Sequence, residues 1–240
     1  SALSNFQGSK PAGEDEISDE TDCQGERIMT VKTETSNYEK MKNDMAKVFL
    51  KYDRETMIKK FDLSYDENFL YLVCLNRNYR ISCQTGQVSW SEDGFRTEES
   101  AGYNEAMTIY DVLCSSKEDC RLLGEWVNVN SLPAVLGGNL KKGGDFFQHA
   151  ADYFDGKTKE LARACEAIGG KKLERGDVAY ELALFPFLLV IVRFWESDEE
   201  FPASLQILTD KNMLDYMHYE TVMFALSHLM SRLKEEMDRG

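Results

Sequence analysis

The sequence has little positive charge and no long hydrophobic run. Its 28 Lys and Arg residues stand against 42 Asp and Glu residues, which gives a formal net charge of −14 over 240 residues. Because phosphate binding needs clustered basic side chains, this charge argues against a nucleic-acid partner and against an anionic membrane surface. The longest apolar run, residues 183–192, contains Pro186 and is about half as long as a membrane-spanning helix, so no membrane span is predicted.

The sequence also lacks the short motifs of common catalytic and metal sites. It has three histidines, none in an H-E-x-x-H pattern, and there is no G-x-S-x-G nucleophile motif. Gly138 and Gly143 have the spacing of a phosphate-binding loop. However, Gly144 and Asp145 follow where such a loop needs Lys and then Ser or Thr. Nucleotide hydrolysis is therefore not predicted.

Six cysteines are present, but no two of them form a C-x-x-C pair. Without that spacing neither a redox dithiol nor a zinc knuckle is indicated. We therefore expect reduced thiols that bind no metal, as in a protein of the reducing cytoplasm. The chain begins with Ser1 and not with Met, so the removal of a leader also stays open.

The first 35 residues are polar and acidic. Within the first 26, seven carboxylates accompany one lysine, and the large apolar side chains are Leu3, Phe6 and Ile17. Such a segment buries too little apolar surface to offset the entropy lost on ordering it. We therefore predict an acidic flexible tail at residues 1–35, followed by one folded domain at residues 36–240.

Hydrophobic periodicity from residue 36 onward predicts helices and strands in separate groups. Strands cluster at residues 69–90 and 178–208, and helical patterns lie between and after them. Because strands and helices do not alternate one by one, we predict an α+β fold: a mostly antiparallel sheet packed by helices in a single domain. The two strand clusters either join one sheet or divide the domain into subdomains 36–100 and 101–240.

The second strand cluster is the most informative stretch. Residues 178–195 are too long for one strand, and Pro186 cannot donate to a strand ladder, so a turn is predicted there. Residues 187–195 are apolar on both faces, which predicts the central strand of a sheet. Phe201, in the loop that follows, is predicted to fold back under that loop as its hydrophobic anchor.

The acidic loop after this strand is the best candidate site. Glu196, Asp198, Glu199 and Glu200 could bind a hard cation through oxygen, although the alternating ligands and central glycine of a calcium loop are absent. The alternative interpretation is a charged hairpin end that keeps two apolar strands soluble. Further ligand or partner candidates are Glu125, Trp126 and Trp195, since each of the two tryptophans is next to a glutamate in the sequence. The alternative interpretation, which is favoured for both tryptophans, is that they are aromatic residues of the core. Convergence of all these side chains in one pocket would indicate an enzyme, and carboxylates splayed into solvent would indicate a binding domain.

A series of short motifs runs through the chain between Tyr71 and Asp210. The motifs are Tyr71-Leu72, Tyr79-Arg80-Ile81, Thr85-Gly86, Gly124-Glu125-Trp126-Val127, Gly176-Asp177, Trp195-Glu196-x-Asp198-Glu199-Glu200-Phe201-Pro202 and Ile207-Leu208-x-Asp210. In these motifs the chain resembles a bacterial and archaeal family known as domain of unknown function 3786, over about residues 38–233. The Glu-Glu-Phe-Pro segment is the most specific part. The chain departs from the family at residues 219–221, which read Tyr-Glu-Thr where Thr-Glu-Asp is expected.

This resemblance implies a fold-level identity and no activity. Family members occur in many anaerobes, and some carry an additional four-cysteine iron–sulfur module. That module is absent from this sequence, so a role in electron transfer is not implied.

Two classes of function therefore stay open. We expect a non-catalytic accessory or binding domain that serves a small ligand or a protein partner in the cytoplasm of an anaerobe. The alternative is a hydrolase that uses the carboxylates of the acidic loop together with a divalent cation. The residues indicate no particular cofactor.

Overall fold

The structure is a computed structural model that describes residues 36–132 and 141–240. The predicted tail, Cys23 and Gly138 of the glycine-rich loop lie outside these residues. Helices are found at α1 (Asn37–Phe49), α2 (Arg54–Phe61), α3 (Tyr103–Ser115), α4 (Lys141–Phe154), α5 (Thr158–Ala167), α6 (Met213–Tyr216) and α7 (Tyr219–Asp238). Strands are found at β1 (Ser64–Tyr65), β2 (Phe69–Cys74), β3 (Arg77–Ser82), β4 (Val88–Ser91), β5 (Glu99–Ser100), β6 (Trp126–Asn128), β7 (Lys171–Lys172), β8 (Val178–Phe185), β9 (Leu188–Trp195) and β10 (Ser204–Asp210).

The first sheet, sheet 1, has the strand order β1-β2-β3-β4-β5 and is antiparallel throughout. Leu75 and Asn76 form the turn between β2 and β3, and both have the positive φ that a two-residue hairpin turn favours. Gly86, at φ +71°, lies so close to the backbone of Ala46 that any side chain there would collide with α1. Its carbonyl also accepts the hydroxyl of Tyr110 on α3 at 2.7 Å, so this turn joins the sheet to two helices.

The second sheet, sheet 2, has the strand order β6-β10-β9-β8-β7 and is also antiparallel. The predicted turn at Pro186 is confirmed, because β8 ends at Phe185 and β9 begins at Leu188. Strand β9 is the central strand, as its apolar sequence predicts.

One continuous hydrophobic core lies between the inner faces of the two sheets and the helices. Helix α7 crosses it with a fully buried stripe of Val222, Leu226, Leu229 and Leu233, and it packs against α3 and α5. The sheets meet where the N–H of Leu75 donates to the carbonyl of Leu184 at 3.1 Å. The chain is therefore a single α+β domain, as predicted. Its strand clusters form two antiparallel sheets over a shared core.

None of the described helices combines the length and the apolar character that crossing a membrane requires.

Candidate functional site

The face of sheet 2 that points away from the core carries an unusual set of side chains. Neighbouring residues of a strand point to opposite sides of a sheet, so the registers of β6, β8, β9 and β10 identify the members of this face. We call it the outer face of sheet 2; it consists of Trp126, Asn128, Ala179, Glu181, Ala183, Leu189, Ile191, Arg193, Trp195, Ser204, Gln206, Leu208 and Asp210. Seven of these thirteen side chains are apolar, so the face is mixed in character.

The outer face is separate from the hydrophobic core. Ala179, Ile191 and Leu208 are buried, at 2%, 4% and 7% exposure, yet none belongs to the core cluster. Helices α4 and α5 contact sheet 2, but their described apolar residues belong to the core, and Phe154 of α4 packs on Phe194 of the inner face. No described helix therefore covers the outer face with its apolar residues.

Arg193 lies in the middle of this face. It faces Ala179 on β8 and Gln206 on β10, and Glu181 is on the same face one register step away. Its Nε atom is buried without a hydrogen-bond acceptor. The guanidinium group forms no ion pair or hydrogen bond within the described part of the chain. A half-buried cation without a carboxylate is costly in a free protein, so it calls for a specific explanation.

The predicted tryptophans lie at opposite ends of the outer face. Trp126 pairs with Asp210 and Trp195 pairs with Ser204, so the length of β10 separates them. At about 3.4 Å per residue this distance is roughly 20 Å. Both side chains are half-buried, and neither belongs to the core cluster or packs against it. The structure therefore places the two tryptophans on one face without bringing them together.

The acidic loop projects from the Trp195 end of this face. Glu196, Asp198, Glu199 and Glu200 are all exposed, as a charged hairpin end requires. The carboxylate of Asp198 accepts the N–H groups of Glu200 and Phe201 at 2.8 Å each, which closes a tight turn.

The prediction that Phe201 anchors this loop is wrong, because its side chain is 66% exposed. The turn closed by Asp198 holds Phe201 outside the core, and the residue of this connection that enters the core is Ala203. The backbone N–H groups of Glu196 and Ser197 instead bind the carboxylates of Asp177 and Asp155. Hydrogen bonds therefore hold this loop against the domain, where the sequence predicted an aromatic anchor.

Glu125 lies at the other end of the sheet, away from the acidic loop. Its carboxylate pairs with Lys211 at 2.9 Å, and both side chains are mostly exposed. The nearby Asp210 is buried, and its Oδ2 accepts the N–H groups of Leu123 and Gly124 at 2.8 Å each. The predicted candidates thus do not converge in one pocket.

A buried polar cluster lies on the inner side of sheet 1. The hydroxyl of Tyr79 donates to Glu105 at 2.5 Å and lies 3.1 Å from Nε2 of His228. Glu105 also accepts the N–H of Gly102 and so caps α3. Burial, followed by the positive charges of Arg232 and Arg77, lowers the pKa of His228 to about 3. This cluster joins β3, α3 and α7 inside the core, so its function is structural.

A second histidine is held by a buried carboxylate. Asp111 on α3 accepts both the backbone N–H of His218 and its ring Nδ1–H, at 2.8 Å each. Asp111 is 1% exposed, whereas the His218 side chain is 39% exposed. This arrangement connects α3 to the start of α7. No described nucleophile is bonded to the His218 ring, so the contacts of this pair indicate a structural connection.

Three carboxylates near the end of α7 have the spacing of a metal site. Oxygen atoms of Glu92, Glu235 and Glu236 lie within 4.8 Å of one another. Three arginines already bind them: Arg77 and Arg239 pair with Glu92 and Glu235, and Arg232 pairs with Glu235 and Glu236. The group is an ion-pair network that attaches α7 to sheet 1.

A groove of about 350 Å³ crosses the outer side of sheet 1, and its polar groups are already used. Ser82 Oγ accepts the N–H groups of Gln84 and Thr85, and Ser89 donates to Glu98 at 2.7 Å. The described thiols offer no site either. Cys74, Cys83, Cys114, Cys120 and Cys165 are free, and burial raises the pKa of Cys114 and of Cys165 to about 12.

Comparison with known proteins identifies the family. Residues 53–232 match the family described as Domain of unknown function (DUF3786). The chain belongs to this family. No curated protein and no solved structure matches it. The family relationship that the sequence motifs indicate is therefore confirmed.

Several motif residues of the family have structural tasks here. Gly86 permits the approach of α1, Asp177 binds the acidic loop, and Asp210 binds the segment before β6. Sequence reasoning missed Arg193, which is not among the motif residues. A period-two signal for it does exist: Leu189, Ile191, Arg193 and Trp195 alternate with the core residues of β9.

Proposed function

We propose that this chain is a non-catalytic binding domain whose outer face of sheet 2 docks a partner protein. The observation that carries the proposal is Arg193, which has no ion pair among the described residues and shares one sheet face with the half-buried Trp126 and Trp195. Trp and Arg are also the residues that contribute most to protein–protein binding energy.

The size of the face favours a protein over a small molecule. It extends roughly 20 Å between Trp126 and Trp195, and four strands at about 4.8 Å spacing make it about 14 Å wide. Small ligands prefer concave pockets that enclose most of their surface, whereas a broad sheet face suits a protein element.

The placement of the carboxylates favours a binding domain over a divalent-cation-dependent hydrolase. Metal-assisted hydrolysis needs several ligands converging on one ion. Here the acidic loop is splayed into solvent, and Glu125 is paired with Lys211 at the far end of β10. The acidic loop fits better as a charged rim beside the docking face, where it would select partners with basic side chains at that end.

A matched pair of charge substitutions tests this function. Leu208→Glu places a carboxylate in the centre of the outer face of sheet 2. Asn78→Glu places one on the exposed outer side of sheet 1. The tagged chain is purified from its native host, and the partner recovered per mole of chain is measured. We expect Leu208→Glu to lose the partner and Asn78→Glu to keep it, with unfolding curves showing that both are folded. Equal recovery by both variants, or no partner with the wild-type chain, would contradict the proposal.

A further inference from the structure

Two buried oxygen atoms at the end of β10 have no hydrogen-bond donor among the described residues. They are Oδ1 of Asp210 and Oδ1 of Asn212. We infer that these two oxygens are ligands of a calcium ion bound between the end of β10 and the segment at residues 121–124. The inference goes beyond the docking function proposed above and does not depend on it.

Both side chains bind this same segment through their other polar atom. Oδ2 of Asp210 accepts the N–H groups of Leu123 and Gly124 at 2.8 Å each. Nδ2 of Asn212 donates to the carbonyl of Arg121 at 2.7 Å. Because the two residues are two positions apart and hold one short segment, their remaining oxygens lie at the same end of sheet 2 and beside the same piece of chain.

The charge of Asp210 calls for a cation. The residue is fully buried, at 0% exposure, and it forms no ion pair within the described part of the chain. The adjacent Lys211 is paired with Glu125 at 2.9 Å, and its side chain is mostly exposed. Two neutral N–H donors on one carboxylate oxygen offset only part of the cost of burying the charge. A cation bound at the other oxygen offsets the rest.

Oxygen ligands of this kind are typical of calcium. Ca²⁺ takes carboxylate, side-chain amide and backbone carbonyl oxygens in flexible geometry, whereas Mg²⁺ needs a regular octahedron and retains several waters. Zn²⁺ and Cu²⁺ prefer nitrogen and sulfur ligands, which this pair of side chains lacks. Further ligands would come from backbone carbonyls of residues 121–124 and from water. With one carboxylate, the expected dissociation constant is about 0.1–1 mM, at the weak end of the calcium range.

A buried water molecule is the alternative occupant. It can donate one hydrogen to each of the two oxygens. However, it brings no charge, so the carboxylate of Asp210 would stay uncompensated. The two occupants differ in one measurable property, because only the metal ion makes the stability of the chain depend on the calcium concentration.

The experiment uses the full chain after removal of metal with EDTA. Thermal unfolding is measured at increasing CaCl₂ and, in parallel, with MgCl₂ and with KCl at matched ionic strength. Asp210→Asn keeps the shape of the side chain and removes its charge, and Asn212→Asp adds a second carboxylate. Glu199→Gln, in the exposed acidic loop, is the matched control for the loss of one negative charge.

Terbium luminescence locates the ion independently of stability. Tb³⁺ occupies calcium sites and emits when a nearby tryptophan absorbs ultraviolet light. Trp126 pairs directly with Asp210 across β6 and β10, so the two side chains point to the same face of the sheet. Trp195, at the other end of that face, is roughly 20 Å away. Trp126→Phe should therefore abolish the emission and leave the thermal response to CaCl₂ unchanged.

We expect the melting temperature of the wild type to rise with CaCl₂ and to respond less to MgCl₂. Asp210→Asn should weaken calcium binding about tenfold to 100-fold, because it removes the charged ligand. Asn212→Asp should tighten binding about tenfold, since the charge of the ligands sets the affinity for calcium. Glu199→Gln should bind like the wild type.

Three kinds of result would overturn the inference. The lack of a calcium response in both the wild type and Asn212→Asp would assign the two oxygens to a water molecule. A response to KCl alone that Asp210→Asn removes would assign the site to a monovalent ion. A calcium response that Glu199→Gln removes, or terbium emission that survives Trp126→Phe, would place the ion elsewhere. None of these results bears on the docking face, which Leu208→Glu tests separately.

Discussion

The outer sides of the two sheets each carry an arginine near their middle, and the two arginines have different surroundings. Arg80 on sheet 1 pairs with Glu98 at 2.7 Å and stacks over the rings of Phe69 and Phe95, at 4.0 and 4.6 Å. Arg193 on sheet 2 has neither an ion pair nor a ring partner among the described residues. The same chain therefore contains one outer arginine with an ion pair and ring contacts, and one without either.

The residues that the strands place around the two arginines also differ. Around Arg80 the strands present Asn78, Ser82 and Ser89, which are ordinary surface residues of a half-solvated sheet. Around Arg193 they present Ala179, Ile191 and Leu208 together with the polar Glu181 and Gln206. Sheet 1 thus pairs its outer arginine within the chain, whereas Arg193 of sheet 2 has no ion pair among the described residues. The predictions below test this difference, beginning with the largest effect.

The two sides of strand β9 should respond very differently to truncation. Phe194→Ala removes a fully buried ring from the core and should lower the free energy of unfolding by about 3–5 kcal/mol. Leu189→Ala, on the outer face of the same strand, should cost less than about 1 kcal/mol because its side chain is already half-solvated. Urea denaturation of both variants measures the difference. Equal losses would mean that the outer face is packed as tightly as the core in the free chain.

The polar cluster behind sheet 1 should make stability depend on pH. His228 has a folded-state pKa of about 3, below its ordinary value of 6.5, because burial and the two nearby arginines disfavour its charged form. Between these values the unfolded state binds one more proton, so stability is present above about pH 6.5 and falls as the pH drops toward 3. The slope from this group approaches about 1.4 kcal/mol per pH unit.

The control for this pH effect is His228→Gln, which cannot take up the proton. Unfolding curves at pH 7 and pH 5 should show that the variant loses less stability than the wild type on acidification. The remaining titratable groups are the same in both proteins and contribute equally. An identical pH dependence would indicate that His228 is charged in the folded protein, paired with Glu105 at 3.5 Å.

Removing the two outer arginines should affect stability in different ways. Arg80→Met loses an ion pair and ring stacking and should cost about 1 kcal/mol. Arg193→Met loses no partner within the chain, so it should be neutral or slightly stabilising. Thermal and urea unfolding of the two variants provide the comparison. A marked destabilisation by Arg193→Met would show that the arginine has an intramolecular partner and would remove the basis of the docking proposal.

The acidic loop should give the smallest effects. Phe201→Ala should change the free energy of unfolding by less than about 0.5 kcal/mol, because the ring is exposed. Asp198→Asn should be similarly mild, since its amide oxygen still accepts the two backbone N–H groups, whereas Asp198→Ala should cost about 1 kcal/mol. Chemical denaturation distinguishes these outcomes. A large loss from Phe201→Ala would restore the anchor role that its exposure contradicts.

Much of the fold is predictable from local signals. Pro186 predicts the β8–β9 turn, and the apolar sequence of β9 predicts its central position. The prediction for Phe201 failed because an Asx turn at Asp198 competes with burial, and hydrophobicity alone does not reveal which of the two prevails. Asp111 binds His218, which lies 107 residues away at the start of α7, and Glu105 lies near the equally remote His228 on α7; no spacing rule connects such positions.

The candidate site is less predictable for a related reason. Trp126 and Trp195 were identifiable as unusual aromatics, but their shared face depends on the register of β6, β10 and β9, which the sequence does not state. The lack of a partner for Arg193 is a property of the assembled surface. Only the three-dimensional structure shows it.

Site-specific photo-crosslinking in the native host tests the central claim most directly. A benzoylphenylalanine at position 206 lies between Trp195 and Leu208 on the outer face of sheet 2, and one at position 78 lies on the outer side of sheet 1. We predict a discrete heavier adduct from position 206 and none from position 78. The adduct should disappear when Leu208→Glu is added. Adducts from both positions alike, or from position 78 alone, would contradict the assignment of the outer face of sheet 2 as the docking surface.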